Sequence, residues 1–230
     1  MPKKLANKSL KRGKSIHELE RRTGNKEPRK YLLIVVEGQE TEYNYFCALK
    51  RDMRLQTTKV EVISTSGGDP LVTVDKAHDL VQEKKQESKR TGELEYDEVF
   101  CVFDEDNKPE KYKEALLKAQ GYNFICITSI PCFEFWFLLH YCYTTSPFTS
   151  CNHLVKKLET EQRNLCILKK GEYYDKSNID LYKILKPKLT DALAHAARLD
   201  KQHQNSDGCT NPSTKVHILV KKLQDQKNFG

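Results

Sequence analysis

Apolar residues gather in short, dense runs along this chain, separated by long polar stretches. Tyr31 to Val36 and Val99 to Phe103 are unbroken apolar runs rich in β-branched and aromatic residues. Such runs read as strands buried on both faces, as in a parallel sheet. Lys59 to Ser64 alternates apolar and polar positions and reads as another strand, and Phe124 to Ile127 reads as a fourth. The segments between them have helical spacing: Glu42 to Met53, with Tyr45, Phe46 and Leu49 on its inner face, then Leu71 to Lys89, then Glu110 to Gln120 closed by Gly121. Asp69 is placed to cap the second of these helices, with Pro70 at its first position, after the turn residues Ser66, Gly67 and Gly68. Strand and helix alternate four times, which predicts an α/β fold with a mostly parallel sheet flanked by helices.

The character changes after Pro131. Phe133 to Tyr141 is apolar and aromatic and holds the only tryptophan, Trp136. It is too short to span a bilayer and predicts a buried helix, with Trp136 serving a core or a dimer interface. Helices are expected at His153 to Arg163, at Ile179 to Lys201 with a break or kink at Pro187, and at Thr214 to Asp225. Ser206-Asp-Gly208 and Asn211-Pro212 mark the loop before the last one. The expected organisation is therefore a basic arm over 1–30 with a short helix around Ile16 to Arg22, an α/β core over 31–130, and a helical C-terminal region over 131–230.

Charge separates the arm from the rest. The net charge is +7 over 230 residues, and residues 1–30 hold eleven Lys/Arg against three Glu, a balance of +8. The other 200 residues therefore sum to 7 − 8 = −1. An arm of this kind is a contact for nucleic-acid phosphates or a solvated tail. No apolar run approaches membrane-spanning length, and the first 30 residues lack a signal-peptide core. The eight cysteines form no C-x-x-C pair, and they read as reduced thiols of a cytoplasmic protein that does not enter a membrane. His140, Cys142, Cys151 and His153 lack the spacing of a structural zinc site.

The chemistry lies at the strand ends. Val36 is followed by Glu37-Gly-Gln-Glu-Thr-Glu42, and Phe103 by Asp104-Glu-Asp106. In open α/β sheets the ligand site lies beyond the carboxyl ends of the strands, so both clusters are expected to face one crevice. Carboxylates crowded there repel one another unless a cation sits between them. Oxygen ligands select a hard cation, Mg²⁺ or Mn²⁺. Glu37, Asp104 and Asp106 are the expected metal ligands, with Asp104 and Asp106 sharing a face if the strand continues. Gly38 leaves room for a close approach. Glu134, in the apolar segment, is costly to bury without a partner and is expected at the same site.

These residues resemble a known family. Ile34-Val-Val-Glu-Gly-Gln-Glu-Thr-Glu-Tyr-Asn-Tyr-Phe46, Val99-Phe-Cys-Val-Phe-Asp-Glu-Asp106, Ile130-Pro-Cys-Phe-Glu-Phe-Trp-Phe-Leu-Leu-His140 and Asn211-Pro-Ser-Thr214 are similar, in this order, to the motifs of RloB-like proteins. The order strand–Glu-Gly, then strand–Asp-x-Asp, also resembles the Toprim fold of topoisomerases, primases and OLD-family nucleases. The resemblance implies a Toprim-like core and an Mg²⁺- or Mn²⁺-dependent nuclease of bacterial anti-phage defence. Its catalytic residues would be Glu37, Glu42, Asp104, Asp106, Glu134 and Lys176. Glu42 and Glu134 would complete a second metal position or act as base, and Lys176 would offset phosphoryl charge. Gln39 stands where many relatives carry Glu and is assigned no ligand role.

The expected substrate is DNA or RNA, with tRNA among the candidates. Expected partners are an ATPase or restriction-system component and a second copy of the chain. The competing reading is a non-catalytic nucleic-acid-binding or sensing subunit of a defence complex. Asp104-x-Asp106 also resembles the nucleophile motif of haloacid-dehalogenase phosphatases, but that motif ends a first strand, and here the pair ends the third.

Overall fold

The computed structural model describes residues 30–55, 58–65, 68–203 and 210–228. The proposed helix at Ile16 to Arg22, the turn residues Ser66 and Gly67, and the loop Ser206 to Gly208 lie outside the described residues.

Five strands form one sheet in the order β2-β1-β3-β4-β5. They are β1 (Lys30–Val36), β2 (Thr58–Ser64), β3 (Glu98–Asp104), β4 (Ile125–Ile130) and β5 (Ser213–Thr214). The first four run parallel and β5 is antiparallel to β4. The two-residue β5 was not expected, because a pair of hydroxylic residues carries no periodic signal. It is held at the sheet edge by main-chain pairing and by the hydroxyls of Ser129 and Thr214, 3.0 Å apart.

Three helices link the parallel strands: α1 (Thr41–Met53), α2 (Pro70–Thr91) and α3 (Pro109–Gly121). Asp69 caps α2 as expected, its Oδ1 accepting from the Leu71 N–H at 3.0 Å, with Pro70 opening the helix. Gly121 does not terminate α3 in a left-handed turn. That conformation falls to Asn123, φ 57°, whose side chain tolerates it. The chain continues through α4 (Glu134–Leu138), α5 (Cys151–Asn164), α6 (Leu181–Leu185), a 3₁₀ turn at Lys186–Lys188, α7 (Leu189–His203) and α8 (Val216–Asn228). The 3₁₀ turn contains Pro187, so the expected break is present. The described residues include no helix long and apolar enough to cross a membrane.

Successive residues of β1 face opposite layers. Leu33 and Val35 pack with Val74 and Ala77 of α2 and with Tyr112, Ala115 and Ala119 of α3. Leu32, Ile34 and Val36 pack with Tyr45, Phe46 and Leu49 of α1 and with the C-terminal helices. That second layer spans the boundary at residue 130, because Phe133 to Leu139 and Leu219 to Leu223 share it. Trp136 is fully buried within it, so the aromatic segment serves the core and leaves no tryptophan surface for a second copy.

Phe46 is also fully buried and meets Tyr45 and Phe133 edge-to-face. Phe46→Ala is expected to cost about 3–5 kcal/mol through lost burial and the cavity left behind. Denaturant unfolding followed by the emission of Trp136 checks this. A loss under about 1 kcal/mol would show that this layer is loosely packed.

Candidate metal centre

β1 connects to β2 on one side, and the chain then crosses to β3 on the other, so the strand order reverses between β1 and β3. The carboxyl ends there splay apart and leave a crevice. Val36 pairs with Val102, which places Glu37 one residue and Asp104 two residues beyond that pair. Both expected carboxylates therefore stand at the switch point, lining a cleft of about 630 Å³.

Glu37 is anchored through its backbone, its N–H donating to Val102 O at 3.0 Å. Its Oε2 accepts from the Asp104 N–H at 3.2 Å. Burial raises its pKa, while that N–H and the Lys108 ammonium act in the opposite direction. Glu42 lies in the first turn of α1, where the helix N-terminus favours a carboxylate. A methyl group on Gly38 would lie 2.1 Å from Glu42 Oε2. The close approach at Gly38 is thus made by the Glu42 side chain, and glycine is what admits it.

Asp104 is half-buried, with its Oδ1 out of reach of solvent. Its Oδ2 accepts from the Phe133 N–H at 2.8 Å, and its Oδ1 has no partner among the described residues. Its pKa is held well above the usual carboxylate range, chiefly by burial and then by the charges of Glu42 and Glu134. The Glu42 pKa is pushed up to about 7, chiefly by burial and then by Glu134 and Glu37. Glu134 does join the site, with its side chain 3% exposed. Its Oε1 lies 3.5 Å from Lys176 Nζ and accepts from Tyr174 Oη at 3.4 Å. Lys176 reaches the cleft from the loop after α5, and the Glu134 charge raises its pKa.

Asp106 is placed differently from the expectation. β3 ends at Asp104, and Asp106 adopts φ 41° in the turn that follows. Its N–H donates to Pro131 O at 3.1 Å, and its side chain is 56% exposed at the cleft rim, 3.8 Å from Lys108 Nζ. Asp104 and Asp106 therefore do not share a strand face. Lys108 itself was missed. Its Nζ donates to Gly68 O at 2.9 Å, which holds a cation beside Glu37. Its signal was its position four residues after Asp104 in the same strand-end loop. Tyr174, two residues from Lys176, was missed as well.

The cysteine expectation needs correction, because Cys132 and Cys151 are joined by a disulfide with Cα atoms 5.7 Å apart. Nineteen residues separate them. They meet because β4 delivers Cys132, and Ser150 caps α5 at Cys151, on one wall of the cleft. Cys47, Cys101, Cys126, Cys142 and Cys166 are unpaired thiols.

The cleft is lined by carboxylate oxygens, the donor type that a hard divalent cation takes. Glu37, Glu42, Asp104 and Glu134 line one cleft, no three of them bringing oxygens within 4.8 Å of one another, and a buried oxygen of Asp104 is left without a donor. Without a cation, the folded protein binds more protons than the unfolded chain between pH 4.5 and about 7 at Glu42. Stability therefore falls as pH rises through that window. Glu42→Gln should flatten this fall, by an amount on the order of a few kcal/mol at pH 8, measured by denaturant unfolding in chelator. Gly38→Ala should leave the fold intact but displace the Glu42 carboxylate. Calorimetric titration should then show weakened Mn²⁺ binding at a nearly unchanged melting temperature.

Compared with curated proteins and with solved structures, the chain matches none. A family model described as RloB-like protein matches residues 32–223, from β1 through most of α8. That span contains every side chain of the cleft, and the chain belongs to the RloB-like family.

Proposed function

We propose that this chain is a divalent-metal-dependent nuclease with a Toprim-like core, acting on DNA or RNA in bacterial anti-phage defence. The observation that carries the reading is the buried, unpartnered Oδ1 of Asp104 among Glu37, Glu42 and Glu134. Glu37 and Asp104 would hold Mg²⁺ or Mn²⁺, with Asp106 reaching in from the rim. Bound there, the cation supplies Lewis-acid stabilisation of phosphate oxygens and a more acidic water.

The protein's own groups supply the rest. Glu42, with its raised pKa, is suited to take up a proton near neutral pH. Lys176 sits against Glu134 and can offset charge gathering on a phosphoryl group. Lys108 supports the opposite rim and stands where a substrate phosphate can approach. The basic arm over 1–30 supplies sequence-independent attraction to nucleic acid. tRNA is a candidate substrate, an ATPase or restriction component a candidate partner, and the cytoplasm the proposed compartment.

Incubation with plasmid, single-stranded DNA and total tRNA in Mg²⁺ or Mn²⁺ tests the reading. Cleavage of at least one substrate is expected, falling on the order of 10²-fold or more in Asp104→Asn. Cleavage unaffected by that substitution would overturn the assignment. Nucleic-acid binding with no cleavage, alone or with partners, would favour the binding-subunit reading.

A further inference from the structure

The cleft wall formed by the starts of α4 and α5 carries two sulfur atoms that the proposed hydrolysis does not use. Cys132 lies two residues before Glu134, is 3% exposed, and is bonded to Cys151, the first residue of α5. Cys151 Sγ is also 3.5 Å from Glu134 Oε2. The two sulfurs and a Glu134 oxygen all lie within 4.8 Å of one another. Glu134 thus presents one oxygen to Lys176 and Tyr174 and the other to sulfur.

We propose that, when the Cys132–Cys151 bond is reduced, the two thiolates and Glu134 hold a thiophilic divalent cation of the Zn²⁺ class. The ligand chemistry separates this position from the oxygen-lined one. Thiolates favour Zn²⁺, whereas Mg²⁺ takes oxygen alone. Two sulfurs and one carboxylate oxygen leave a fourth tetrahedral position, and all three ligand residues line the cleft. Three protein ligands with one open position characterise an accessible zinc site, whereas structural sites are closed by four.

The chemistry balances with a dithiol as reductant. The dithiol passes two electrons and two protons to the disulfide, giving two Cys thiols, and itself becomes a cyclic disulfide. Cation binding then releases both thiol protons to solvent. The oxidised wall holds no such cation, because its sulfurs are spent in the S–S bond. The site therefore reports the thiol state of its surroundings at the edge of the acidic cleft, and it does not require that the cleft hydrolyse anything.

Anaerobic titration with Co²⁺, a spectroscopic stand-in for Zn²⁺, tests the proposal on the full chain after the reductant is removed. The reduced protein is expected to develop a near-ultraviolet thiolate-to-cobalt charge-transfer band that saturates at equimolar Co²⁺ and is abolished by Zn²⁺. The oxidised protein, which needs no substitution, is expected to show none. The band should be lost in Cys132→Ser and in Cys151→Ser, weakened in Glu134→Gln and retained in Asp104→Asn. No band in the reduced protein overturns the proposal. So does a band that survives both serine variants, which would place cobalt on other thiols such as Cys47 or Cys166. Loss of the band in Asp104→Asn at an unchanged melting temperature would also overturn it, by merging the two cation positions.

Discussion

Withdrawal of neighbouring carboxylates from water at the strand ends is the constraint around which this molecule is arranged. Glu42 and Glu134 are buried, and Asp104 is half-buried with its Oδ1 out of reach of solvent. Burial makes Glu42 and Asp104 costly to ionise, and the neighbouring carboxylates add to that cost. Two backbone N–H groups and the Lys176 ammonium offset part of this cost. They leave Asp104 Oδ1 without a donor. A chain that stabilised only its own fold would place an apolar side chain there. The proposed cation would complete the acids, and the stability of the cleft would then depend on what it binds.

Each acid is placed by a separate packing decision. The parallel pairing of β1 with β3 sets Glu37 beside Asp104. α1 is fixed by Tyr45, Phe46 and Leu49, and its first turn presents Glu42 across Gly38. α4 is only five residues long, but all five are buried, and while Phe135 and Phe137 enter the core its first residue, Glu134, lines the cleft. The aromatic cluster around Tyr45 therefore rigidifies two walls of the site at once.

The fold was largely legible because β1 and β3 are buried on both faces, a condition that forces unbroken apolar runs. The cap at Asp69 and the break at Pro187 were legible because those residues act through local geometry alone. The strand-end acids were legible for a topological reason, since parallel strands deliver their carboxyl ends to one edge. What escaped notice depends on contacts distant in sequence or on the path of a turn. Strand β5 is two residues long and exists through its pairing with β4. Cys132 meets Cys151 only once α5 packs on α4. Asp106 leaves the face of Asp104 because the chain turns through a left-handed conformation that no side-chain pattern announces. Lys108 acquires its place from Gly68, forty residues away.

Whether Asp104 holds a cation is decided by Mn²⁺ titration of the parent chain and of Asp104→Asn, read by calorimetry in two buffers of different protonation enthalpy. The parent is expected to bind saturably with proton release near neutral pH, as the raised carboxyl pKa values fall, and the variant to lose most of that affinity. Absence of binding by the folded parent, or equal binding by the variant, would contradict it.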